Sequence, residues 1–376
     1  MPLFNVYPLY DVTPVSAKGM YVYDENNTAY LDLYGGHAVI SIGHGHAKYV
    51  EAITNQVAKL GFYSNAIQNP LQKELTDKLE TLSGCKEYQL FLCNSGAEAN
   101  ENALKLASFK TGKSRVIAFK NGFHGRTSAA VAATDNTSII APINAQQKVT
   151  ILELNDIERV QRELEKGDVC AIIIEFIQGV GGLDQATAKF FEKVDVLCKA
   201  NNTFFIADEV QSGYGRSGKF FAFQHYKVTP DIISIAKGMG NGFPIGGIFI
   251  HPSIEAKFGM LGTTFGGNHL ACVAGLSVLN VIEEDNLMHN VNEISQYFIK
   301  IARTIPQIKN IKGRGLMLGL EFDYEVSDLR KKLIYEYHIF TGGAANKKLL
   351  RILPPLNVKK EHINQFFKAL VNALDS

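Results

Sequence analysis

The chain has 376 residues, 46% of them hydrophobic and 20% charged, with a formal net charge of +1. That length buries a core large enough for one big domain with a smaller one attached. The near-neutral balance excludes the electrostatic footprint of a nucleic-acid binder or of a protein held on an anionic membrane surface.

The chain opens with MPLFNVYPLYDV, which has neither the basic nor the apolar stretch of a secretory signal. Tyr21–Asp24 and Thr28–Asp32 flank the turn residues Glu25-Asn26-Asn27 and predict a hairpin within an amino-terminal arm, residues 1–45. The following GGHAVISIGHGH sets His44 and His46 two apart in a Gly-rich turn with no carboxylate alongside, so it reads as a turn before a helix, not as a metal site. From Ala47 onward helical periods alternate with the apolar runs Gln89–Cys93, Arg115–Phe119, Val149–Leu152, Ala171–Phe176, Thr203–Ala207, Ile232–Ala236 and Gly247–Ile250. Alternating strands and helices predict an α/β domain over residues 46–268, built on a mostly parallel sheet covered on both faces. Residues 269–376 change to mixed α and β, with a strand at Leu318–Phe322 and an amphipathic helix at Glu361–Leu374. Together with the arm they are expected to form a small α+β domain. No apolar run approaches the roughly 20 residues of a membrane span. The five cysteines, Cys85, Cys93, Cys170, Cys198 and Cys272, have no CxxC spacing, which fits a reducing cytoplasm and offers no metal site.

Parallel sheets bind ligands beyond the carboxyl ends of their strands, and the polar residues of this chain gather there. Lys237 follows the run Ile232–Ala236 and precedes a cluster of glycines. An ammonium in that position is costly to desolvate, so it has a lowered pKa, a covalent partner, or a path for its tip back to water. Asp208 follows Phe204-Phe205-Ile206-Ala207 with little local competition for its carboxylate, and asks for a positive partner or caps the next segment. One crossover would bring Asp208 and Lys237 to the same sheet edge. After Gln89–Cys93, Ser95 and Glu98 have capping-box spacing, and Gly96 allows close backbone approach at a helix start suited to a phosphate. Phe123 has the shape to cover a flat ring and Arg126 the fork to hold a carboxylate, although a surface turn would account for both. Arg351, in the apolar LLRILPPL, needs an anionic partner from the protein or from a ligand.

Seven segments in order, CNSGAEANENALKLA, GFHGRT, EFIQGVGG, ADEVQSGYGRSG, AKGMGNGFPIGG, TTFGGN and LLRILPPLNV, resemble the class III, ornithine-type aminotransferases of the pyridoxal phosphate (PLP) fold type I. The acetylornithine branch is the most similar, and the resemblance covers nearly the whole chain. It implies PLP as cofactor and Lys237 as the lysine that forms a Schiff base with it and moves the proton. It implies Asp208 opposite the pyridine nitrogen, Gln211 near the ring hydroxyl, Ser95, Gly96 and Ala97 at the phosphate, and Phe123 stacked on the ring. It also implies a homodimer with shared active sites, in which Thr264 reaches the phosphate of the neighbouring subunit's cofactor and Thr263 lies beside substrate. Arg126 would hold the carboxylate of an acylated ornithine, Arg351 the α-carboxylate of glutamate, and Glu175 would belong to the substrate-binding set. The reaction implied is transfer of the terminal amine of N2-acylornithine to 2-oxoglutarate, in arginine biosynthesis.

Where relatives read EPIQGEGG, this chain has Phe176 for the proline and Val180 for the second glutamate. That glutamate can neutralise the glutamate-binding arginine, and Val180 cannot. Succinylornithine therefore enters as a donor beside acetylornithine, with ornithine, GABA and succinyl-diaminopimelate as further ω-amines. A racemase of the same fold has no need of Arg351, and a noncatalytic scaffold has no need of Lys237, Asp208 and Arg126. The glycines Gly238–Gly242 read GxGxG and not GxGxxG, which rules against a dinucleotide loop. Thr111-Gly112-Lys113-Ser114 lacks the earlier glycine of a phosphate-binding loop, where Ala107 stands.

Overall fold

The computed structural model describes residues 1–375. In chain order the strands are β1 (Pro14–Lys18), β2 (Tyr21–Asp24), β3 (Ala29–Asp32), β4 (Gln89–Cys93), β5 (Arg115–Phe119), β6 (Val149–Leu152) and β7 (Val169–Ile174). They continue as β8 (Phe204–Asp208), β9 (Ile232–Ile235), β10 (Gly246–Ile250), β11 (Asn310–Arg314), β12 (Met317–Glu321), β13 (Ile339–Phe340) and β14 (Leu349–Ile352). A seven-stranded sheet has the order β4-β10-β9-β8-β7-β5-β6. Its neighbours from β9 to β6 pair in parallel, and β10 runs antiparallel to both β9 and β4. One reversed strand makes the sheet mostly parallel, as the alternating pattern predicts.

Helices cover both faces, and every residue of β7 is buried, the mark of a strand with no solvent side. The first helix that matters for the site, α1 (Gly96–Thr111), starts where β4 ends. Ser95 caps it by accepting the Glu98 N–H, and Gly112 ends it in the left-handed conformation. Its apolar face, with Ala99, Ala103, Leu104 and Ala107, packs against the sheet. Near the other end of the chain, α2 (Ser327–Tyr335) precedes β13.

The two ends of the chain meet in a second sheet, β1-β2-β3-β13, where Ile339 and Phe340 pair in parallel with Leu31 and Asp32. A third sheet, β11-β12-β14, carries Arg351 on its last strand. Each predicted strand lies within two residues of an observed one, whereas β1, β11, β13 and β14 were not predicted. The largest shift is at β7, which ends at Ile174 although the apolar run continues to Phe176. Phe176 is apolar for a different reason. Its ring lies 4.4 Å from that of Phe191 and 5.6 Å from that of Tyr226. Burying that ring stabilises the fold by about 1.5–3 kcal/mol.

Candidate active site

The carboxyl ends of β4, β5, β7, β8 and β9 open into one cavity of about 350 Å³. Lys237 lies on its wall, two residues beyond β9. Its backbone is in the left-handed region, φ 47°, which a lysine occupies at a cost and which structures retain chiefly at functional positions. The turn that imposes this is tight. A Cβ on Gly240 would fall 2.1 Å from the Phe243 carbonyl oxygen, so only glycine fits there. Burial lowers the Lys237 pKa, opposed by the charges of Asp208 and Glu175 and assisted by that of Arg351. A lysine so held releases its proton more readily than one in water.

Asp208 ends the neighbouring strand, paired in register with Ser234. Its surroundings are a correction to the sequence reading, which left its carboxylate without local competition. Oδ2 accepts from Asn100 Nδ2 at 2.7 Å and lies 2.7 Å from His124 Nδ1, while Oδ1 accepts from the Val210 N–H at 3.1 Å. Both neighbours were missed. Asn100 lies in α1 and His124 in the GFHGRT loop, and nothing in their local sequence points at residue 208. With three partners the carboxylate is fixed in place and has Oδ1 capacity left toward the cavity.

Glu175, just past β7, spends both oxygens on backbone: Oε1 accepts from Phe123 N–H at 2.9 Å and Oε2 from Gly179 N–H at 2.8 Å. Burial, with Asp208 nearby, pushes its pKa up to about 7. Its contacts hold Phe123 against the cavity and shape the turn that carries Val180.

At the start of α1 the N–H groups of Gly96 and Ala97 have no carbonyl one turn earlier to bond, and both residues line the cavity. The capping box closes differently from its sequence spacing. Ser95 Oγ accepts from Glu98 N–H, but Glu98 Oε2 takes the Asn94 N–H at 3.0 Å and not that of Ser95. Gly96 is glycine for packing reasons as well, since a Cβ there would meet Val210 Cγ1 at 2.5 Å.

Gln211 also lines the cavity, with its Oε1 buried and unpartnered and its Nε2 on the His37 carbonyl at 3.2 Å. Arg126 stands exposed at the rim with no hydrogen-bond or ion-pair partner among the described residues. Arg351 is 4% exposed and is not among the residues lining the cavity. It donates to the Gly343 and Gly179 carbonyls, each at 2.5 Å, and lies 3.5 Å from the Tyr34 hydroxyl. Within the chain its hydrogen-bond partners are carbonyl dipoles and a phenol, which leaves the anion that the sequence asked of protein or ligand to a ligand. Thr263 and Thr264 do not reach this cavity within the one chain. Thr263 packs beside Asn65 and Gln72, and Thr264 is exposed.

A lysine, a fixed carboxylate and a helix start around one cavity define an enzyme that works on a bound, anionic, aromatic cofactor. Residues 5–374 match the model of the class III aminotransferases, and the chain belongs to that family. It is 40% identical over 376 residues to the acetylornithine aminotransferase of Aquifex aeolicus, covering 98% of both chains. It is 38% identical over 378 residues to that of Bacillus subtilis, covering 99% of this chain and 97% of the relative. Among solved structures, the ornithine aminotransferase of Toxoplasma gondii superposes with a TM-score of 0.91 at 26% identity, covering 98% of this chain and 92% of the other. A second structure of the Toxoplasma enzyme holds PLP at partial occupancy in its active site. The chain is a PLP-dependent aminotransferase of fold type I. The cavity fits that cofactor: free N–H groups for a phosphate, Asp208 for a pyridinium, and the orphaned Gln211 oxygen for a ring hydroxyl.

Proposed function

We propose that this enzyme transfers the terminal amine of N2-acetylornithine to 2-oxoglutarate, giving N-acetylglutamate 5-semialdehyde and glutamate, as a step of arginine biosynthesis. The observation that carries this reading is a pair of arginines with no carboxylate within 4.0 Å among the described residues: Arg126, which lines the Lys237 cavity, and Arg351, buried on the Gly179 carbonyl next to the cavity residue Val180. A substrate pair with one carboxylate on the donor and two on the acceptor supplies what they lack. The acetylornithine aminotransferases of Aquifex and Bacillus, similar over almost their whole length, point to the same donor.

When bound, PLP supplies the aldehyde carbon and the electron sink. The chain supplies the rest. Gly96 and Ala97 N–H groups hold the phosphate, with Ser95 fixing the helix start. Phe123 and Val210 confine the ring, Gln211 meets its hydroxyl, and Asp208, anchored by Asn100 and His124, keeps its nitrogen protonated. Lys237 Nζ removes the proton from the amine-bearing carbon of the substrate and returns one on the other side of the transfer. Arg126 orients the donor carboxylate and Arg351 the acceptor's, while Glu175 holds the loops that carry Phe123 and Val180.

The enzyme is read as a homodimer with shared active sites. Phe62, Tyr63, Ile67 and Phe265 are 42 to 60% exposed, and the Phe62 and Phe265 rings touch at 5.3 Å, making a continuous apolar face beside Thr263 and Thr264. Sedimentation of Phe62→Glu should show a dimer lost to monomer, with activity lost in parallel. An active monomer would remove the shared site.

A second reading is favoured by Val180, which lines the cavity and follows Gly179, whose carbonyl accepts from Arg351. With no carboxylate within 4.0 Å of Arg351 among the described residues, a donor that brings an extra carboxylate, such as succinylornithine, supplies a charge that Val180 does not. In a steady-state panel of acetylornithine, succinylornithine, ornithine and GABA, the two acylated donors should be the best. Val180→Glu should lower the succinyl-to-acetyl ratio of kcat/KM by about tenfold, the effect of one charge at partly screened range. An unchanged ratio would end the role of Val180, and a preference for ornithine or GABA would overturn the acylornithine assignment itself.

A further inference from the structure

Gly343 lies between two guanidinium groups. Arg351 Nε donates to its carbonyl at 2.5 Å, and a Cβ on Gly343 would fall 2.7 Å from Nη1 of Arg330, a residue of α2. Arg330 Nη2 donates to the Thr341 carbonyl at 3.0 Å, and its Nε is buried with no partner. Its guanidinium carbon is 5.7 Å from the Tyr10 ring, while that of Arg351 is 5.8 Å from the Tyr34 ring. Among the described residues neither arginine has a carboxylate within 4.0 Å. Arg330 is close enough to disfavour the charge on buried Arg351, a costly arrangement for a cation with no carboxylate within 4.0 Å. The cost falls when an anion sits within reach of both.

We propose that Arg330 is a second, specificity-determining cation of the Arg351 site, so that the keto-acid acceptor's carboxylate is held by two positive charges. The proposal rests on Arg351 being the acceptor's site, as set out above. It accounts for three observations together: the absence of an acidic partner, the unpartnered Arg330 Nε, and a glycine at 343 that leaves Nη1 its room. It also explains how the site works with Val180. A carboxylate at 180 would compete with the acceptor for these charges, and its replacement by valine leaves both arginines to the substrate.

The test uses the PLP-loaded enzyme and two readouts: KM against kcat for 2-oxoglutarate, and the Kd of glutarate, a dicarboxylate that cannot react. Arg330→Met should raise both KM and Kd by about tenfold, what one unit charge supplies at such range, with kcat and the donor KM moving less than about twofold. Arg330→Lys should recover most of the loss, since the charge and not the tie to Thr341 is at issue. Gly343→Ala pushes only the flexible end of Arg330, and should reproduce the effect in part even where Arg330→Met fails to fold. Lys331→Met, an exposed charge one residue away, is the control and should change neither constant. If Arg351→Met raises the 2-oxoglutarate KM while Arg330→Met and Gly343→Ala leave KM and Kd unchanged, Arg330 is only a structural tie and the inference is overturned. If Arg351→Met also leaves KM unchanged, the acceptor site lies elsewhere and the underlying reading goes with it.

Discussion

Replacing Lys237 with alanine is expected to cut kcat by about 10⁴-fold or more, because in the proposed role the same side chain is both covalent partner and proton carrier. Its position leaves no substitute. Lys237 stands just past β9 on the cavity wall, with its backbone at φ 47° and its pKa lowered by burial. No other lysine lines that cavity. Lys237→Arg should be almost as inactive, since a guanidinium keeps the cation but does not release its proton near neutral pH. Alanine in the left-handed region costs about 1 kcal/mol, as lysine does, so the melting temperature should change little and loss of activity should not be loss of fold. Single-turnover measurements with acetylornithine test this directly. A rate within tenfold of the wild type would show that another group carries the proton.

Asp208→Asn should lower kcat by about 10²- to 10⁴-fold, the equivalent of removing one partner of a buried charge pair worth 3–5 kcal/mol. The amide keeps the volume but no longer holds a proton on the cofactor's ring nitrogen. It also leaves Asn100 Nδ2 and His124 Nδ1 facing a weaker acceptor, so some fall in melting temperature should accompany the loss. Cofactor retention after dialysis separates the two effects. Weakened retention at unchanged melting temperature assigns the loss to the ring contact. Full activity and retention in the variant would mean that Asp208 is only a link between α1 and the GFHGRT loop.

Much of this site was legible before any coordinates. Lys237, Asp208, Gly96, Phe123 and Arg126 stand where apolar runs end, and a parallel sheet gathers such positions at one edge. The predicted strands fell within two residues of those formed because a two-sided sheet demands continuous apolar runs. The errors arose where a residue's partner is remote in sequence. Asp208 appeared free because Asn100 and His124 lie 108 and 84 residues away along the chain. Phe176 extended a predicted strand because ring packing and strand burial select the same residue type. The anion that Arg351 asks of protein or ligand falls to a ligand, since within the chain its guanidinium donates to the Gly179 and Gly343 carbonyls.

The sequence by itself determined the fold class and the family and singled out Lys237, because periodicity and short motifs are local and survive without tertiary context. Only the tertiary structure decided what surrounds them. It brought Arg330 of α2 beside Gly343, tied Arg351 to the Gly179 carbonyl next to Val180 on the cavity wall, and left Thr263 and Thr264 outside the chain's own cavity. The reason is physical. Ionisation, orphaned hydrogen-bonding groups and charge crowding depend on distances of a few ångströms between elements that the chain order keeps far apart.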